Sequence, residues 1–108
     1  MELLKEKCEP REKCLTPLSR EESDALLKDV PEWKITDGRL QREFKFKDFQ
    51  GAMDFVNRVA RLAREQDHHP DIHVFYNRVV LSFYTHKANA LTKNDFIMAA
   101  KIKEIAQS

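Results

Sequence analysis

The 108-residue sequence holds only two glycines, two cysteines and one tryptophan, and its formal net charge is +1. So few glycines leave no Gly-rich phosphate loop and no dinucleotide fingerprint. A balance of 19 basic against 18 acidic residues gives no global pull toward nucleic acid or an anionic membrane surface. No apolar run approaches the roughly 20 residues that span a bilayer, and the opening MELLKEKCEPREK is too charged for a signal peptide. The expected compartment is therefore the cytoplasm. Cys8 and Cys14, with five residues between them, fit neither a CxxC redox pair nor a zinc half-site. They read as reduced thiols in an N-terminal extension.

What is present suits a globular chain: 42% hydrophobic and 34% charged residues, at a length that buries one core and not two. Residues 1–15 read as a loosely ordered extension and residues 16–108 as a single domain. Ser19 and Glu22 form a capping-box pattern that predicts a helix over 20–29, stopped by Pro31. Asp37-Gly38 is a hairpin signal between strands expected over 33–36 and 40–46. Asp48 then opens a helix over 48–66. Its apolar stripe is Phe49, Ala52, Met53, Val56, Ala60 and Ala63, which, extended by a turn, reaches Asp67 and sets an acid on the inward face. After Pro70 a second hairpin is expected, with strands over 71–76 and 79–85 and Asn77-Arg78 as its turn. Ile72, Val74, Tyr76, Val79, Leu81 and Phe83 then share one face. Thr92 caps a last helix over 92–106, with Asp95 at the capping-box position. The order α-β-β-α-β-β-α predicts a two-layer α+β fold, a four-stranded antiparallel sheet with three helices on one face.

Three of the four histidines lie in EQDHHPDIH, Glu65 to His73. A turn at Asn77-Arg78 sets Tyr76 opposite Val79, Val74 opposite Leu81, His73 opposite Ser82 and, carried to the open end, His69 opposite His86. Opposed side chains are about 4.5–5.5 Å apart at Cβ, so His86 joins the cluster. His69, His73 and His86 share a face with Ser82 and Tyr84, away from the apolar set, and His68 sits out of phase at a helix C-terminus. Zinc is one reading of His69, His73 and His86, yet no HExxH or other ligand spacing is present. Acid–base work fits better, because imidazole both donates and accepts protons near neutrality. Phe75, Val80 and Tyr84, on the sheet face that one helical layer leaves open, predict an interface.

The stretches FKDF (Phe46–Phe49), F..RVA (Phe55, Arg58, Val59, Ala60), DHHP (Asp67–Pro70), YN (Tyr76, Asn77), TH (Thr85, His86) and L...D (Leu91 to Asp95) resemble the pterin-4a-carbinolamine dehydratases. The resemblance runs from about Leu15 to Ala106. It implies dehydration of 4a-hydroxytetrahydropterin to quinonoid dihydropterin, which recycles the cofactor spent by aromatic amino acid hydroxylases. It implies a homodimer or homotetramer, no metal and no cofactor beyond the pterin substrate, while the charge balance and hydropathy give no nucleic acid or membrane partner. By position, His68 and His86 correspond to acids that protonate the leaving hydroxyl, and His69 to the pterin-binding residue and base. Asp67 and Asp95 correspond to supporting acids, and Pro70 and Thr85 join His69 in substrate binding. The sequence departs from the family pattern at Arg64, where an acid is usual, at Ile72, where an aromatic is usual, and at His73, an additional histidine. A pterin-binding or dimerisation module without turnover is the alternative, and a metal-dependent hydrolase a more distant one.

Overall fold

The computed structural model describes residue 3, residues 6–8 and residues 16–107. The expectation for residues 1–15 therefore falls largely outside the described residues. The elements run α1 (Arg20–Leu27), β1 (Lys34–Thr36), β2 (Arg39–Lys45), α2 (Phe49–Gln66), β3 (Asp71–Phe75), β4 (Arg78–Phe83) and α3 (Lys93–Gln107). The strands form one antiparallel sheet in the order β1-β2-β4-β3. This is the expected α+β architecture, an open sheet with its helices on one face. Among the described residues no helix is long and apolar enough to cross a membrane.

Local chemistry accounts for the element ends. At α1 the Ser19 hydroxyl accepts from the Glu22 amide at 3.0 Å, and the Glu22 carboxylate accepts from the Ser19 amide at 2.9 Å, a complete capping box. Asp48 caps α2 by accepting from the Gly51 amide at 2.8 Å. The first hairpin turns at Asp37 and Gly38, whose φ values of 52° and 75° match the paired positive angles of a tight two-residue turn.

The core lies between the sheet and the helices. Leu40 and Phe44 of β2 and Val79, Leu81 and Phe83 of β4 bury against Ala52, Phe55, Val59 and Ala63 of α2 and Phe96, Met98 and Ile102 of α3. Trp33 meets Phe44 and Phe83 with ring centroids 6.1 and 5.7 Å apart, and Phe44 meets Phe55 at 4.7 Å. Such tilted and edge contacts suit the ring quadrupole.

Three expectations are corrected. The buried stripe of α2 is Ala52, Phe55, Val59 and Ala63, so the helix is rotated from the expected stripe; Phe49 and Ala60 are exposed. Phe55 and Val59 take the centre of the buried face, and Met53 and Val56 of the expected stripe are half-buried at its margin. The second correction concerns the hairpin turn, which is Tyr76-Asn77, one residue earlier than expected. Asp71 pairs with Ser82, His73 with Val80 and Phe75 with Arg78, a register shifted by two residues. Asn77 is held in the turn by the β2–α2 connection: its Nδ2 donates to the Phe46 carbonyl at 3.2 Å, and the Phe46 amide donates to the Asn77 carbonyl at 2.8 Å. Arg78 is in turn drawn into the ladder opposite Lys45 of β2, where it pairs with Glu43 at 2.9 Å. Third, Tyr76 does not share the apolar face. It is 68% exposed at φ 54° and stacks on Phe49 of α2 at 6.5 Å.

Leu81 lies on the central strand β4 and is wholly buried among both layers. Leu81→Ala is expected to cost about 2–5 kcal/mol of stability from lost transfer energy and the cavity left behind. Urea denaturation at unchanged slope measures it.

Candidate active site

Four segments converge where α2 ends and α3 begins. α2 stops at Gln66, and Asp67 adopts the left-handed conformation, φ 52° and ψ 42°. Its amide returns to Ala63 and Arg64 carbonyls, and the His68 amide reaches the Ala63 carbonyl at 3.1 Å. This reversal swings the chain off the helical path. Asp67 is left exposed and His68 is carried inward to 7% exposure. The expected inward acid at Asp67 is thus corrected: a left-handed residue ends the helical period, so the α2 stripe does not extend through it.

The inward acid is Asp95, in the first turn of α3 and fully buried. One of its oxygens, Oδ1, lies 2.6 Å from His68 Nε2. The other, Oδ2, accepts from the Thr92 amide at 2.9 Å and from the Thr85 hydroxyl at 2.8 Å. Because the Thr85 proton is committed to Asp95, the Thr92 hydroxyl donates to Thr85 Oγ1, 2.8 Å away. With Oδ2 already accepting twice, Oδ1 receives the Nε2–H of His68. The second ring nitrogen, Nδ1, is not engaged by Asp95 and is the acceptor of the ring in this tautomer. The Phe83 ring lies parallel to the imidazole, 6.1 Å away at 6°, and fixes its plane. The α3 N-terminus favours the acidic side chain by its dipole.

The remaining predicted residues are distributed around this network. His69 is exposed and Pro70 half-buried, between α2 and β3. His86 is exposed in a tight loop closed by the Thr85–Ala90 bridge. Its carbonyl accepts from the Asn89 amide at 3.1 Å, and its ring meets the edge of Tyr84 at 5.1 Å. Tyr84 is fixed in turn by donating to Asn89 Oδ1 at 2.8 Å. The expected opposition of His69 and His86 is not formed: the β3–β4 ladder ends at the Asp71–Ser82 pair, and neither histidine belongs to it. The shifted turn removes that register. His73 sits exposed on β3 opposite Val80. His69, His73 and His86 do not make a metal-holding group, and among the described residues no three His, Cys, Asp or Glu side chains do.

So His68, Thr85 and Asp95 are brought together, with His69 and His86 on the flanking segments. Thr85, expected as a substrate contact, turns its hydroxyl toward Asp95. Thr92 and Phe83 are participants that sequence reasoning did not assign to the site. Thr92 was visible there only as a helix cap, and Phe83 only as an apolar alternation.

An open antiparallel sheet backed by three helices, with a buried histidine–carboxylate pair at the α2–α3 junction, defines a small α+β protein with its candidate site at one rim of the sheet. The sequence profile of the family described as "Pterin 4 alpha carbinolamine dehydratase" matches residues 16–105. The chain belongs to that family. It is 42% identical over 105 residues to the "Putative pterin-4-alpha-carbinolamine dehydratase" of Rubrobacter xylanophilus, covering 96% of this chain and 98% of that one. With a Cupriavidus pinatubonensis relative, whose name is the same with the suffix 1, identity is 45% over 101 residues, covering 92% and 87%. A solved structure, "transcriptional coactivator/pterin dehydratase from Brucella Melitensis", superposes with TM-score 0.80 at 36% identity, covering 84% of this chain and 99% of that one.

Since Asp67 ends α2 in the left-handed conformation, its replacements are expected to divide by conformation. Asp67→Asn and Asp67→Gly retain stability, whereas Asp67→Val loses about 1–2 kcal/mol, the cost of a left-handed residue with a crowded Cβ. Denaturant midpoints of the three variants test this.

Proposed function

We propose that the protein dehydrates 4a-hydroxytetrahydropterin by histidine acid–base catalysis and so returns a spent pterin cofactor to use by an aromatic amino acid hydroxylase. In this reading the C4a–O bond breaks with its electron pair leaving on oxygen, which takes a proton and departs as water. The N5–H proton is lost to a base, and the N5 electron pair forms the C4a=N5 bond of the quinonoid product. Hydroxide leaves poorly unless protonated, so the reaction needs a donor on the hydroxyl and an acceptor near N5. His68 and His86 act as donors, one for each face of the ring, and His69 binds the pterin and accepts the N5 proton.

The observation that carries this reading is the 2.6 Å contact between His68 Nε2 and fully buried Asp95. The carboxylate fixes the tautomer and orientation of the ring, as a third group orients a catalytic base in other acid–base sites. The family membership of the chain supports the same substrate. No resident cofactor is required, because proton transfer by side chains suffices.

His69→Ala is expected to impair turnover most, because binding and base would be lost together. Removing a single proton-transfer group costs about 10²–10⁴-fold in rate. His68→Ala and His86→Ala should each slow one epimer of the carbinolamine preferentially, and His73→Ala should be nearly silent. Stopped-flow dehydration of the two epimers measures all four. A His73→Ala loss as large as that of His69→Ala would overturn the assignment.

A homodimer or homotetramer belongs to the same reading. It is supported by Phe49, Phe75 and Tyr76, large apolar side chains that are half exposed or more. Light scattering is expected to give a multiple of the 12.7 kDa chain mass at micromolar concentration, and a monomer mass there would count against it.

A further inference from the structure

The family profile begins at residue 16, yet part of the preceding segment is built into the junction that holds the histidine–carboxylate pair. Leu3 is 2% exposed and belongs to the hydrophobic core. The Glu6 amide folds back onto the Leu3 carbonyl at 3.1 Å. Glu6 Oε1 meets Lys93 Nζ, on the first residue of α3, at 2.6 Å. The Cys8 amide donates to Oε1 of Gln66, the last residue of α2, at 3.0 Å. The Cys8 thiol faces the Asn94 carbonyl of α3 at 3.8 Å.

These contacts span the same gap as the site. Gln66 precedes His68 by two positions, and Lys93 and Asn94 lead directly into Asp95. The segment therefore ties the end of α2 to the start of α3 beside the place where His68 meets Asp95. Helix ends are where local opening is easiest. A hydrogen bond of 2.6 Å between two such ends is lost on a relative shift of about 1 Å, since bonds weaken beyond roughly 3.2 Å. Burial around α3 agrees with a covered junction: Asn94 through Ala99 are all buried, more than one helical face can supply.

We propose that Leu3 and residues 6–8 form a clamp that positions His68 against Asp95, with Leu3 as its anchor and the Cys8–Gln66 and Glu6–Lys93 contacts setting its register. The clamp rests on the proton-transfer reading of His68 only for its effect on rate. The anchor dominates, because the Glu6–Lys93 pair is partly exposed, with side chains 33% and 42% accessible, and such pairs contribute little alone. Leu3 instead removes a whole aliphatic side chain from water.

The test uses the full chain carrying Leu3→Asp, Gln66→Ala or the double variant Glu6→Gln/Gln66→Ala. Two quantities are read: the exchange rate of the His68 Nε2–H proton by NMR, and kcat and KM for carbinolamine dehydration. The clamp predicts faster exchange in each variant, with the β-sheet amide shifts unchanged. It predicts a fall in kcat on the order of tenfold at constant KM, short of the ~10²-fold that a 1 Å misplacement can cost. Leu3→Met should restore both quantities. Unchanged His68 exchange in both Gln66→Ala and the double variant would overturn the clamp, whatever becomes of Leu3→Asp. Faster exchange in these variants, in a protein with no dehydratase activity at all, would leave the clamp standing and remove the proposed reaction.

Discussion

The hydrogen bond between His68 and Asp95 is the constraint around which this molecule is arranged. A fully buried carboxylate costs free energy unless its lone pairs are filled, and here Oδ2 takes the Thr92 amide and the Thr85 hydroxyl while Oδ1 takes the imidazole. Removing one partner leaves the others facing a desolvated gap, so the group stands or falls as a network. Its members come from four places: the turn after α2, the end of β4, the loop before α3 and the first turn of α3. The two helix ends, the β4 exit and the tight loop carrying His86 are thereby fixed relative to one another.

The stretches that carry the resemblance divide by physical role. DHHP, TH and L...D build the network and its flanks. FKDF and YN lie elsewhere and hold each other: Phe46 exchanges two hydrogen bonds with Asn77, and the Phe49 ring stacks on Tyr76. That clasp joins the start of α2 to the β3–β4 turn. It sets the register of the sheet at one end of α2, while the left-handed Asp67 aims His68 at the other. A single helix thus connects the part of the chain that fixes strand pairing to the part that presents the imidazole.

The open face of the sheet is occupied by a mixture of ion pairs and aromatic rings. Arg78 pairs with Glu43 and lies 5.0 Å from the Phe75 ring centroid, and Arg39 reaches Asp71 at 3.4 Å and the Tyr84 ring at 4.6 Å. Exposed pairs of this kind contribute little stability. They instead keep wet a face that carries apolar side chains, beside the edge strand β3.

Hydrophobic period, the Asp37-Gly38 turn and the Ser19 and Asp48 caps were enough to determine the element order, the antiparallel pairing and the two-layer architecture. These features are local, and each element's chemistry reports on itself. His68 of the motif DHHP and Thr85 of the motif TH both meet Asp95. What the sequence left undecided was long-range. Alternation sorts strand residues by face and is blind to a register shift of two, because Ile72, Val74 and Leu81 stay on the core side either way. The choice was made by Asn77 holding Phe46 and by Arg78 pairing across to β2, contacts that exist only once the second hairpin meets the first. In the same way a helical stripe carries no warning that Asp67 will turn left-handed. The acid that faces inward is Asp95, 27 residues from His68, and only the packing of α3 against the end of α2 brings the two within a hydrogen bond.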